Sequence, residues 1–189
     1  MQDVNHTTGD YTLAIDPGTH TTGVALFTGQ IMSDSFTLKA PFKVKDGDLR
    51  AFNLIELLEE RVFPLLICQG CGVSHATLVY ENPQMFRIKG GMKSIEPVVR
   101  MSGMLNFWGL QKQFRVYRYS VSMIKTGIAG RNAASKEEVE RIMYRVLDIP
   151  GHNRTDHEYD AMSVGVFHLD KVNPGCFGAT LPMETVSVH

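Results

Sequence analysis

Asp16-Pro17-Gly18-Thr19-His20-Thr21-Thr22-Gly23 stands between two short apolar runs, Tyr11 to Ile15 and Val24 to Phe27. The pattern reads as strand, tight turn, strand, with one carboxylate held at the end of the first strand. Glycine lets another backbone or a ligand approach closely, so a lone acid beside Gly18 and Gly23 is well placed to hold a cation, or a phosphate through a cation.

Outward from this turn the chain reads β-β-β-α-β-α-β-α-α. Asp34 to Leu38 forms the third strand, joined through Thr28-Gly29-Gln30. Leu49 to about Arg61 carries Phe52, Leu54, Ile55 and Leu58 at helical spacing, and Pro64 bends or ends that helix. Ala76 to Tyr80 reads as a buried strand leading into Glu81, followed by the basic, glycine-containing loop Arg87-Ile88-Lys89-Gly90-Gly91-Met92-Lys93. A long helix from about Glu96 to Lys112 and a strand from Phe114 to Tyr119 come next. Ser135-Lys136-Glu137-Glu138 and Thr155-Asp156-His157-Glu158 both fit the capping-box pattern and open amphipathic helices to about Leu147 and Leu169. Residues 1–171 therefore form one domain, and residues 172–189, rich in Pro, Gly and small polar residues, read as a surface tail.

Composition narrows the function classes. With 189 residues and 43% hydrophobic content the chain can bury one sizeable core. No apolar run approaches a bilayer span and no signal-peptide pattern opens the chain, so the expectation is a soluble cytoplasmic protein. Three cysteines argue against a disulfide framework; Cys68 and Cys71 form a C-x-x-C that only Cys176 and His75 could complete as a zinc site, and a helix end with its loop is the simpler reading. The net charge of −1 speaks against nucleic acid, but its distribution does not. Met85 to Arg145 holds twelve Lys/Arg against four Asp/Glu, leaving seven against sixteen elsewhere. A phosphate-tracking face opposite an acidic centre would produce that segregation, as would a solvated basic helix surface.

The acids carry the chemistry. Asp16 ends the first strand, Glu81 ends a strand expected beside it, and His157 and Asp160, three apart, share one face of the last helix. Hard divalent cations take oxygen ligands from several directions, and two ions about 3.5 to 4 Å apart can bind both the attacking water and the leaving oxygen in phosphodiester hydrolysis. Each residue alone also has a structural reading, as a turn acid, a strand-end charge or a helix-start residue favoured by the dipole.

Together these residues resemble the RuvC family of Holliday-junction resolvases, within the RNase H-like superfamily. Four blocks carry the resemblance: Ile15-Asp16-Pro17-Gly18 with Thr22-Gly23; Val79-Tyr80-Glu81; Lys125-Thr126-Gly127 followed by Ala134-Ser135-Lys136-Glu137-Glu138-Val139; and His157-Glu158-Tyr159-Asp160-Ala161-Met162. It implies an α/β, RNase H-like fold, with a mixed five-stranded sheet and flanking helices. It implies that Asp16, Glu81, His157 and Asp160 are the catalytic residues and the ligands of two Mg2+ ions, which Mn2+ can replace. His157 stands where many members have Asp, and the adjacent Asp156 is a rival, since Asp156 and Asp160 would also share a face. The family's junction-reading aromatic corresponds to Phe86, at a different offset from the glutamate and with Pro83 intervening. Lys125 and Lys136 match positions near the scissile phosphate, and Arg87, Lys89 and Lys93 fall in the junction-facing loop.

The implied activity is symmetric nicking of four-way DNA junctions by a homodimer. The stripe of Val98, Val99, Met101, Met104, Leu105, Phe107, Trp108 and Leu110 is wider than one helix face needs, and the expected self-complementary ridge is Met101, Met104, Leu105 and Trp108, with Val98 and Phe107 turned to the sheet. Three other readings compete. An actin-like or sugar-kinase ATPase shares the acid-glycine turn but needs a second lobe that 189 residues do not provide. An RNase H-type nuclease would cut RNA·DNA hybrids by reading the 2′-hydroxyl. A non-cleaving branched-DNA binding module would not need all four acid and imidazole positions.

Overall fold

The computed structural model describes residues 11–41, 43–68, 76–82, 92–149, 154–178 and 181, with residues 67–68 and 92–95 described for backbone alone. Strands β1 (Tyr11–Asp16), β2 (Thr21–Thr28) and β3 (Ile31–Lys39) form an antiparallel meander; β4 (Ala76–Asn82) and β5 (Arg115–Ser120) add in parallel on the far side of β1, giving the order β3-β2-β1-β4-β5. Side chains alternate across the sheet. Leu13, Ile15, Val24, Leu26, Leu78 and Tyr80 face one core with helices α1 (Gly47–Arg61) and α3 (Met92–Gln111); Ala14, Ala25, Phe27, Val79 and Tyr119 face the other with α4 (Val121–Ala129), α5 (Lys136–Leu147) and α6 (Asp156–Val172). The expected mixed five-stranded sheet with flanking helices is thus observed.

Two helices escaped the sequence reading. Val62 caps α1 at its C-terminus and α2 (Phe63–Cys68) begins at once, with Pro64 in its first turn, where the missing N–H has no helical acceptor to lose. Helix α4 has a Ser120 N-cap that accepts from the Met123 N–H, and Gly130 closes it at φ 70°. Helix α3 extends N-terminal to Pro97 instead of starting beside it, which forgoes one backbone hydrogen bond there.

The dimer ridge expected from the sequence is corrected by packing. Met101, Leu105 and Trp108 are buried in the chain's own core and Met104 packs partly against it, while the Trp108 indole N–H donates to Glu59 of α1 at 2.7 Å. Phe107, which was expected to face the sheet, is 63% exposed, and Leu110 is 60% exposed beside it. Past Val172 the chain is not simply a surface tail: Cys176 and Phe177 pack against the α6-side core, and Leu181 is buried in it. Cys68 is described for backbone only and Cys71 and His75 lie outside the described residues, so the zinc arrangement is not part of what the structure describes. Among the described residues, no helix is long and apolar enough to cross a membrane.

Candidate active site

Parallel pairing of β1 with β4, in register at Ile15 and Tyr80, puts Asp16 and Glu81 at adjacent strand ends on the sheet face that α6 covers. The α6 N-terminus is brought over them by two local devices. Thr155 and Glu158 form a full capping box, each side chain meeting the other residue's backbone N–H. Gly23, paired with Asp16 across the sheet, leaves the gap into which the His157 carbonyl fits; a Cβ there would strike that carbonyl. Gly18 is equally constrained, since a Cβ would run into the Thr21 carbonyl across the turn, and the Thr22 hydroxyl closes the turn by donating to the Gly18 carbonyl at 2.9 Å.

His157 spans the two strand ends. Its Nδ1 lies 2.6 Å from Asp16 Oδ2, and its Nε2 lies 2.6 Å from Thr21 Oγ1. Asp160, one turn further along α6, and Glu81 line a cavity of about 180 Å³ together with Lys125 and Lys136; Val121, Ile124 and Ile128 of α4 with Val139 of α5 form its apolar wall. The structure therefore gathers Asp16, Glu81, His157 and Asp160 at one end of the sheet, with both lysines at the edge of the acids. Asp156 turns away: its carboxylate accepts from Lys136 Nζ at 2.8 Å on the exposed rim.

Crowding of carboxylates sets the electrostatics. Burial first, then the charges of Asp16 and Asp160, push the Glu81 carboxyl up to about 8, with Lys125 opposing. Burial and then Asp16 push Asp160 up to about 6 against Lys136 and His157. The hydrogen bond it donates to Asp16 raises the His157 imidazole above its ordinary value. Lys136 is raised by its bond to Asp156, which is lowered in turn. Lys125 gives its Nζ hydrogen bond to the Ala134 carbonyl at 2.9 Å rather than to an acid.

A donor set of three carboxylates and one imidazole suits a hard divalent cation, and the raised carboxyls mark a place where positive charge is in deficit. As they stand among the described residues, no three His, Cys, Asp or Glu side chains are drawn together closely enough to grip an ion. The reason is visible in the bonding: Asp16 and His157 are closed on each other, whereas Glu81 and Asp160 face the cavity.

The family model described as crossover junction endodeoxyribonuclease RuvC matches residues 83–168. Crossover junction endodeoxyribonuclease RuvC of Sulfurovum sp. is 26% identical over 161 residues, covering 85% of this chain and 95% of that protein. The same enzyme of Syntrophomonas wolfei is 25% identical over 162 residues, covering 83% and 87%. Over these residues the chain is similar to the RuvC family. In fold it matches Thermus thermophilus RuvC at a TM-score of 0.65, with 18% identity over 85% of this chain and 95% of that one. T. thermophilus RuvC in complex with Holliday junction substrate matches at 0.67, with 20% identity over 84% and 92%. RuvC enzymes are divalent-metal-dependent nucleases, in keeping with the oxygen-rich donor set found here.

The remaining sequence expectations fall unevenly. Phe86, Arg87 and Lys89 lie outside the described residues, and Lys93 falls in the first turn of α3 with only its backbone described. Thr21 was missed as a site residue. Its partner is 136 positions away, and no local pattern announces it. Helix α4, which carries Lys125, was signalled by Ser120 and Gly130 as its two caps.

Proposed function

We propose that this chain is a RuvC-type endodeoxyribonuclease that nicks four-way DNA junctions symmetrically as a homodimer, using Mg2+, two ions per active site, with Mn2+ as a substitute. The observation that carries the reading is the meeting of Asp16, Glu81, His157 and Asp160 at one sheet end, with two lysines beside an acidic cavity. Bound divalent cations would supply Lewis-acid stabilisation of the phosphoryl group in in-line hydrolysis. Asp16, Glu81 and Asp160 hold that charge and orient it, and His157 is available at the Asp16 side as ligand or proton acceptor. Lys125 and Lys136 place ammonium groups where a phosphate would approach. Arg87, Lys89 and Lys93 extend the phosphate contacts, and Phe86 stacks at an opened base step. The products are a 5′-phosphate and a 3′-hydroxyl that a ligase can seal.

The dimer face assigned here is the outer side of α3. Val99, Gly103, Phe107 and Leu110 recur at helical spacing, the three apolar side chains are exposed, and Gly103 has nothing within 4 Å of where a Cβ would lie. A second copy of the helix would cover that face and place two sites about a twofold axis. The test is incubation of the protein with synthetic junction, flap, linear duplex and RNA·DNA hybrid, with and without Mg2+, beside an Asp16→Asn control. Paired, metal-dependent nicks confined to the junction and lost in the control are expected; hybrid cutting that outpaces junction cutting, or nicking unchanged in the control, refutes the reading.

A further inference from the structure

We infer that Thr21 is a positioning residue for His157, whose hydroxyl holds the imidazole so that Nδ1 faces Asp16. The inference rests on the proposed role of His157, and three features carry it. The ring lies over the Gly18 turn, with its Cε1 3.9 Å from where a Gly18 Cβ would be. Its two nitrogens are held from opposite sides, by Asp16 Oδ2 and Thr21 Oγ1, each at 2.6 Å. Both holders are anchored in paired strands: Asp16 opposite Gly23, and Thr21 opposite Lys39, with the Thr22–Gly18 bond fixing the turn between them. One hydrogen bond would leave an imidazole at a helix start free to swing about that bond; two, on opposite nitrogens, fix both side-chain torsions.

A hydroxyl suits this place because it both donates and accepts. When the ring proton sits on Nδ1 and is given to Asp16, Thr21 Oγ–H donates to Nε2. When it sits on Nε2 and is given to Thr21, the Nδ1 lone pair stands beside the Asp16 carboxylate, and the two form an adjacent donor pair for a divalent ion. Ligating histidines in general rely on such a partner on the other nitrogen, and its loss costs about 10- to 100-fold in metal affinity or activity. The Thr21 hydroxyl bonds the His157 imidazole at Nε2, the nitrogen opposite the one that faces Asp16, so its effect runs through the ring.

The experiment uses the whole chain as wild type, Thr21→Val and Thr21→Ser, each also combined with His157→Ala. Mn2+ affinity is measured by titration with Mn2+ alone, and the ring nitrogens of His157 are observed by NMR in metal-free protein. Thr21→Val, which keeps the shape and removes the hydroxyl, is expected to weaken Mn2+ binding by about tenfold and to change the ring-nitrogen signals. Thr21→Ser should remain near wild type, and Thr21→Val should add nothing once His157 is alanine. Unchanged Mn2+ affinity or unchanged ring signals in Thr21→Val overturn the inference, as do an equal loss in Thr21→Ser or a further loss in the His157→Ala background. Junction nicking is followed in parallel: if the wild type cuts no junction, the functional reading fails while the titration and NMR still decide the role of Thr21.

Discussion

Substituting Gly23 by alanine tests whether the approach of α6 to β2 is what assembles the site. Gly23 is a buried strand residue without a positive φ, so alanine brings no backbone strain there, only contact. Its Cβ would fall about 1.2 Å inside the 3.0 Å closest approach of real Cβ atoms, and the atom it meets is the His157 carbonyl oxygen, a backbone atom at the first turn of α6. No side chain can swing aside to relieve this, so the helix start must retreat. A retreat of that size along the ring axis opens the 2.6 Å contact between His157 and Asp16 to as much as about 3.8 Å, beyond hydrogen-bond reach.

Overpacking of this kind costs about 1 to 3 kcal/mol of stability, and a misplacement of about 1 Å at a reacting centre costs roughly 100-fold in rate. Single-turnover nicking of a labelled junction at saturating protein gives the rate, and urea unfolding gives the stability. Gly165→Ala is the control, because its Cβ would strike the Phe27 ring in the same α6–β2 contact, away from the acids. The expectation is a large rate loss for Gly23→Ala at unchanged junction affinity, and a comparable stability loss with a much smaller rate loss for Gly165→Ala. Nicking by Gly23→Ala within about threefold of wild type, or equal inactivation by Gly165→Ala, would refute the reasoning.

Three further outcomes follow from the same geometry. The folded Glu81 carboxyl, raised from 4.5 to about 8, binds its proton more tightly than the unfolded one, so its contribution to stability is complete below the unfolded value and is lost as pH rises towards 8; Asp160, raised to about 6, acts in the same direction over a lower window. Metal-free protein should therefore melt at falling temperature from about pH 5 to pH 8, Mg2+ should restore more stability at the alkaline end, and Glu81→Gln should flatten the profile; a metal-free melting temperature that rises over this range sinks the electrostatic account. Phe107→Glu should convert dimer to monomer in sedimentation and turn paired incisions into slow single nicks, because burying an unpaired charge costs several kcal/mol, whereas Met104→Glu should chiefly destabilise the fold; a dimeric Phe107→Glu protein removes the α3 face from the interface. Asp156→Asn frees Lys136 from an exposed ion pair, so nicking should persist and the salt dependence of junction binding should steepen; loss of nicking would make Asp156 a ligand after all.

The meander and the acids were legible because they rest on short-range patterns. Apolar runs flanking a glycine turn define β1 and β2, and two-residue alternation is enough to put Asp16 and Glu81 on the face shared with Ala14 and Val79. The RuvC-like blocks then tied these to His157 and Asp160. Helix α4 was missed because Val121, Ile124, Thr126 and Ile128 are β-branched and read poorly as helix, although its caps are ordinary. The faces of α3 were reversed for a different reason. A helix apolar on nearly every side does not say which stripe is the core seam; that is decided by contacts such as Trp108 with Glu59, 49 residues away. Thr21 was illegible for the same cause, since its hydrogen-bond partner lies at the other end of the chain.

What the structure adds to the acids is an account of where the positive charge goes. Lys136 is spent on Asp156 at the rim, and Lys125 on a backbone carbonyl, so neither ammonium is fully committed to Glu81 or Asp160. Burial and the neighbouring acids raise both half-buried carboxyls, and the lysines oppose this only in part. A divalent cation displaces the carboxyl protons at neutral pH and converts the same crowding from a cost into a binding site. The lysines are then free to exchange their present partners for phosphate oxygens, at little cost to stability for the exposed Lys136 pair. On this logic ion and DNA binding reinforce each other: the cation holds the acids, and the released ammonium groups meet the backbone that the cation draws in.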